Sequence, residues 1–113
     1  MTPALLPSRL PGFLVQEVDP TPMPEPYPVA WNAPLARELG IEASLADRDW
    51  LALLAGNRIP DGTRPVAAGY AGHQFGTWVP QLGDGRAIQL GDLEDSGHRR
   101  HEMQLKGAGR TRW

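Results

Sequence analysis

Prolines occupy every second position from Pro20 to Pro28. Each ring fixes its own φ and pushes the preceding residue into extended geometry, so the stretch has no helical solution. Residues 1–30 therefore read as an extended arm without regular structure, with Phe13, Leu14, Val15 and Val18 pinning it to the rest of the protein. A proline-recognition ligand is the other reading, but Asp19 and Glu25 interrupt the run and no P-x-x-P plus basic pattern is present. The same punctuation runs through all 113 residues, which include 13 Gly and 12 Pro. With an apolar share of 41%, that leaves little material for a core, and a chain of this size needs more of it to fold alone.

Beyond the arm the pattern turns helical from Asn32 to Gly56. Asn32 is a natural cap, Pro34 suits a first turn, Leu35 and Leu39 share a face, and Gly40 ends the helix. Ser44 is the expected cap of a second helix carrying Leu45, Asp49, Trp50, Leu51, Leu53 and Leu54, closed by Gly56-Asn57. Large apolar residues at helical spacing are what packing requires, so Trp50 and the leucines are assigned to a core and not to a ligand box.

Residues 57–80 read as irregular, with a turn at Ile59-Pro60-Asp61-Gly62 and a short extended segment from Pro65. Within Gly69-Tyr70-Ala71-Gly72-His73-Gln74-Phe75-Gly76 the glycines point to close backbone approach or positive φ. His73, His98 and His101 have no ligand-type spacing, and His73 is given a structural role through hydrogen bonds to nearby backbone.

The chemistry concentrates in residues 81–106. Asp84-Gly85, flanked by Leu82, Ile88 and Leu90, is a hairpin signal and equally a candidate anion cradle. Arg86 follows the second glycine, and a hairpin with strands Ala87–Asp92 and His101–Lys106 would put Met103 and Leu105 on one face. Glu102, Gln104 and Lys106 would take the other, with Lys106 in reach of a phosphate at the glycine turn. Glycines admit phosphate oxygens to backbone N–H groups, lysine supplies a point charge, and arginine a planar contact. The pattern matches neither the P-loop nor the dinucleotide fingerprint.

A formal net charge of −2 gives no footprint for nucleic acid or an anionic membrane, so any anion site must be local. The absence of cysteine excludes disulfides, thiolate metal sites and a thiol nucleophile from this segment; it fits a reducing cytoplasm, the expected location, and equally permits other compartments. The start lacks the basic region and unbroken apolar run of a signal peptide, and no stretch approaches a membrane span, so no membrane partner is expected. The basic, glycine-punctuated loop ending at Trp113 reads as the interior of a larger nucleotide-using enzyme.

Three linked motifs carry a resemblance: Tyr70-Ala71-Gly72-His73-Gln74-Phe75-Gly76, Gln81-Leu82-Gly83-Asp84-Gly85-Arg86-Ala87 and Gln104-Leu105-Lys106-Gly107-Ala108-Gly109-Arg110-Thr111. In order and separation they closely resemble the selenoprotein O (SelO) family. Pro20-Thr21-Pro22-Met23-Pro24 and the Trp31 to Gly40 segment are similar to that family's amino-terminal region, so the resemblance spans nearly the whole chain.

The resemblance implies an α+β chain forming the amino-terminal part of a protein-kinase-like fold: the arm 1–30, then an incomplete amino lobe 31–113 with helices in 32–56 and a glycine-rich hairpin at 81–106, the catalytic lobe being absent. It implies ATP-dependent transfer of AMP to Ser, Thr or Tyr hydroxyls of proteins, with ATP inverted relative to ordinary kinases. Gly83, Gly85, Arg86 and Lys106 would bind the nucleotide. Magnesium is the implied metal, its ligands and the catalytic aspartate falling beyond Trp113, so the chain alone would be inactive. Family members usually place a proline and an aromatic after the Gly-Arg-Thr motif, whereas Arg112-Trp113 stands here. The alternative is a noncatalytic α+β binding module or decayed gene fragment, in which the glycine turn only reverses the chain.

Overall fold

The computed structural model describes residues 10–42 and 47–113. Helix α1 spans Ala33–Glu38 and helix α2 spans Arg48–Leu54. Asn32 caps α1 as expected, its Oδ1 accepting from the Leu35 N–H at 3.1 Å. The expected cap Ser44, and Leu45, lie outside the described residues; Asp47 caps α2, accepting from the N–H groups of Asp49 and Trp50. Both helices close through a left-handed glycine, Gly40 at φ 70° and Gly56 at φ 78°. In each case the next residue donates back into the last turn, Ile41 to Ala36 and Asn57 to Ala52, both at 2.8 Å. These are Schellman closures, and at α1 the paired residues Ala36 and Ile41 are both buried.

Among the described residues there are five strands: β1 Val15–Glu17, β2 Val66–Gln74, β3 Thr77–Gly83, β4 Ala87–Glu94 and β5 Arg100–Lys106. All pairings are antiparallel, in the order β1-β2-β4-β5 with β3 on β2. The fold is thus α+β. The arm is less irregular than its prolines suggest, because a 3-10 turn at Gly12–Leu14 leads into β1, which pairs with Val66–Ala68. The strand stops before the alternating prolines, whose missing N–H groups cannot extend a ladder.

The extended segment expected from Pro65 is the start of β2, but the irregular reading of 69–80 is a correction. Those residues continue β2 and form most of β3, joined at Phe75-Gly76, where φ of 52° and 77° makes the two-residue turn that matches strand twist. Glycine and alanine dominate β2, so no alternation advertises it; its pairing partners make it a strand. Pro80 lies where β3 bulges opposite Ala71, outside the regular ladder.

Asp84-Gly85 is a second correction, because β3 and β4 do not pair with each other. Both run antiparallel to β2, β3 along its second half and β4 at Val66. Asp84 spans the gap between them: its N–H donates to the Ala68 carbonyl at 3.0 Å and its carboxylate accepts from the Ala68 N–H at 2.7 Å.

The expected hairpin across 87–106 is present as β4 and β5, in register Ala87↔Lys106 and Ile88↔Leu105. Along β5, Met103 and Leu105 are half-buried while Glu102, Gln104 and Lys106 are exposed, the anticipated division of faces. Strand β4 is buried on both sides, with Ile88 and Leu90 the largest fully enclosed side chains among the described residues.

Candidate functional site

Strand pairing brings the ends of β3, β4 and β5 together around Gly83–Arg86. Lys106 sits opposite Ala87, one residue from Arg86, and the N–H groups of Gly107 and Ala108 both donate to the Arg86 carbonyl at 2.9 Å. The four residues expected to form the site, Gly83, Gly85, Arg86 and Lys106, therefore lie on one short run of backbone contacts.

The two glycines are glycine for different reasons. Gly85 has φ +62° and open space where a side chain would be. Gly83 ends β3 opposite Gly69, and a Cβ on it would strike the Trp113 side chain and stand 2.8 Å from the Ala68 carbonyl. Close approach is thus real at Gly83, but the approaching group is an indole.

Every carbonyl of the turn is occupied. The Tyr70 hydroxyl donates to Gly83 at 3.0 Å, the Ala87 N–H to Asp84 at 2.9 Å, and the Thr111 hydroxyl to Gly85. Arg86 receives the Gly107 and Ala108 donors just described. By contrast, the N–H groups of Gly85 and Arg86 have no acceptor among the described residues. Arg86 and Lys106 are exposed, and neither meets an acidic side chain among those residues. Consecutive free N–H groups beside two uncommitted cations are the chemistry of an anion site.

Lys106 also borders a groove of about 420 Å³ between arm residues 23–30 and Trp31, α2 residues Leu51 and Leu54 with the C-capping Ala55, and the segment 105–108. The arm is held there by Asn57, whose amide accepts from the Met23 N–H at 2.7 Å and donates to its carbonyl at 2.8 Å. Tyr70, Thr111 and Trp113, which shape the turn, were not among the expected site residues. A lone hydroxyl or indole carries no spacing signal from which such contacts are legible.

The histidines stand apart from this site. The His73 ring makes no hydrogen bond to backbone among the described residues; it is exposed and meets the Trp78 ring edge-on at 5.2 Å, across the pair His73↔Trp78. His98 contacts Glu94 at 2.6 Å. His101 contacts Asp95 at 2.9 Å, and Asp95 also accepts from the Gly97 and Arg99 backbone and the Arg99 side chain. Led by the His101 contact, these hydrogen bonds hold the Asp95 carboxyl far below the usual carboxylate range. Arg99 continues to Glu38 at 3.2 Å and so ties α1 to the β4–β5 turn. Among the described residues no group of three His, Asp or Glu side chains is placed to hold a metal ion.

A family model described as protein adenylyltransferase SelO matches residues 7–113. The protein nucleotidyltransferase YdiU of Rhizobium meliloti (strain 1021) is 55% identical over 104 residues, covering 92% of this chain and 21% of its own. That of Alkalilimnicola ehrlichii (strain ATCC BAA-1101 / DSM 17681 / MLHE-1) is 53% identical over 105 residues, again 92% and 21%. The chain thus spans about one fifth of the length of these curated relatives. With a match across nearly all of its residues, the chain belongs to the SelO family of protein adenylyltransferases.

Proposed function

We propose that this chain supplies the nucleotide-phosphate site of an ATP-dependent protein adenylyltransferase, with Gly83, Gly85, Arg86 and Lys106 as the binding residues. The observation that carries the reading is the asymmetry of the turn: its carbonyls are all satisfied, while the Gly85 and Arg86 N–H groups have no acceptor among the described residues. A turn with its backbone carbonyls tied back turns its backbone donors toward a ligand, which suits a polyphosphate. Arg86 adds a planar cation and Lys106 a point charge.

In the reaction, a Ser, Thr or Tyr hydroxyl oxygen of a protein substrate bonds to the α-phosphorus. The bridging bond to the β-phosphate breaks, and pyrophosphate leaves with the bonding electrons. Donors fixed on the phosphate oxygens stabilise the charge that grows there without reorganising during transfer. The base that takes the hydroxyl proton and the residues that would hold magnesium belong to the rest of a family-length protein, and no step is routed through the metal. The sheet β1–β5 corresponds in this reading to the amino lobe of a protein-kinase-like fold, with residues 1–30 as its arm. The chain alone is inactive, and the whole protein works in the cytoplasm.

The test places this chain in a full-length relative, such as the Rhizobium meliloti protein, in exchange for the matching segment. ATP labelled at the α position should label protein, and ATP labelled at the γ position should not. Label arriving only from the γ position contradicts adenylylation. Label from neither position in a folded chimera favours a noncatalytic module.

A further inference from the structure

The segment after Lys106 folds back across the glycine turn and touches it at each step. Gly107 and Ala108 bind the Arg86 carbonyl, the Thr111 hydroxyl binds that of Gly85, and the Trp113 indole lies against Gly83 and Gly69. A Cβ on Gly69 would stand 2.6 Å from Trp113 Cη2 and Cζ2, and its three nearest neighbours are all indole atoms. The Arg112 guanidinium carbon stands 5.0 Å from the Trp113 ring centroid, and the Arg112 N–H donates to Gln16 Oε1. The half-buried indole thus packs on paired glycine backbone with a cation beside its ring, and β1 anchors the residue before it.

We propose that Trp113 is a positioning residue for the phosphate-binding turn. The proposal rests on the nucleotide reading above and assigns Trp113 no contact with substrate. The indole fills the space left by Gly69 and Gly83, which seats the segment so that the Thr111 hydroxyl and the Gly107 and Ala108 N–H groups reach the turn's carbonyls. Those contacts aim the Gly85 and Arg86 N–H groups outward. Gly69 and Gly83 are thereby receptors for an aromatic ring, and Gly85 alone of these three leaves its side-chain space open to a ligand. A flat ring is required at 113; its indole N–H is not, since it has no hydrogen-bond partner among the described residues.

The experiment uses the chimeric full-length protein and α-labelled ATP. Trp113→Ala should raise the KM for ATP at least about fivefold with a smaller change in kcat, whereas Trp113→Phe should stay within about twofold of the parent. Gly69→Ala should raise KM like Trp113→Ala, and the double variant should be no worse than Trp113→Ala alone, because the clash has no partner once the ring is gone. An unchanged KM in Trp113→Ala, additive effects in the double variant, or equal losses in Trp113→Phe and Trp113→Ala would overturn the proposal.

A readout that needs no activity separates this proposal from the nucleotide reading. In the 113-residue chain labelled with fluorotryptophan, the fluorine resonance missing from Trp113→Phe belongs to Trp113. Gly69→Ala should move it toward the solvent-exposed value, and an unmoved resonance contradicts the packing on which the proposal stands. If that resonance moves but the unsubstituted chimera transfers no α-label, the nucleotide reading fails while the indole packing holds.

Discussion

Single atoms decide what the glycines of this chain do. Gly85 has φ +62° with nothing near its missing side chain, so Gly85→Ala should cost only the left-handed strain, about 1–2 kcal/mol, measured by thermal unfolding. Gly83→Ala should cost more, because its Cβ meets Trp113 and the Ala68 carbonyl, and backbone cannot rotate away. Asp95 makes a different kind of prediction. Its hydrogen bonds with His101, Arg99 and Gly97 depress its folded-state pKa below that of the unfolded chain, so the folded state binds its proton less readily. The stabilisation is complete above the ordinary carboxylate value of about 4 and fades as pH falls below it. Melting temperature followed from pH 7 downward should therefore decline below about pH 4, and Asp95→Asn should lower the neutral plateau and flatten that decline.

At the scale of elements, the helix closures and the arm contact give graded expectations. Gly40→Ala adds a Cβ into open space, whereas at Gly56 it would stand 2.6 Å from Pro20 Cβ and 2.9 Å from Leu105 Cδ2. Both positions carry the left-handed cost of about 1–2 kcal/mol, so Gly56→Ala should be the more destabilising in denaturant unfolding. Asn57→Ala removes both hydrogen bonds to Met23 and should loosen the arm, costing about 1–2 kcal/mol and raising amide exchange at Met23. The same elements show what the sequence made legible. Asn32, Gly40 and Gly56 announced the helices because capping is local chemistry, and the polar-apolar alternation of 100–106 announced β5. Strand β2 was hidden, since Ala67, Ala68, Gly69 and Gly72 carry no strand pattern and depend on partners distant in sequence. For the site, Gly83, Gly85, Arg86 and Lys106 were readable as a group, but Gly83's actual neighbour was not. Trp113 reaches Gly83 from thirty residues away only through folding.

Taken whole, the chain encloses little. Among the described residues Ile88 and Leu90 are the only large side chains fully buried, while Phe13, Tyr27, Tyr70, Phe75 and Trp78 are each at least half exposed. A core this thin gives a weak cooperative transition, so urea unfolding followed by tryptophan fluorescence should be broad and shallow. A sharp transition, with the slope expected for full burial at this length, would contradict that reading. The central claim is that the Gly83–Arg86 turn and Lys106 hold the nucleotide phosphates, and AMP transfer by Lys106→Ala in the chimeric full-length protein tests it most directly. Loss of a charge-assisted contact worth about 1.5–3 kcal/mol should lower transfer at least about tenfold, without loss of fold. Full transfer by Lys106→Ala would contradict the account.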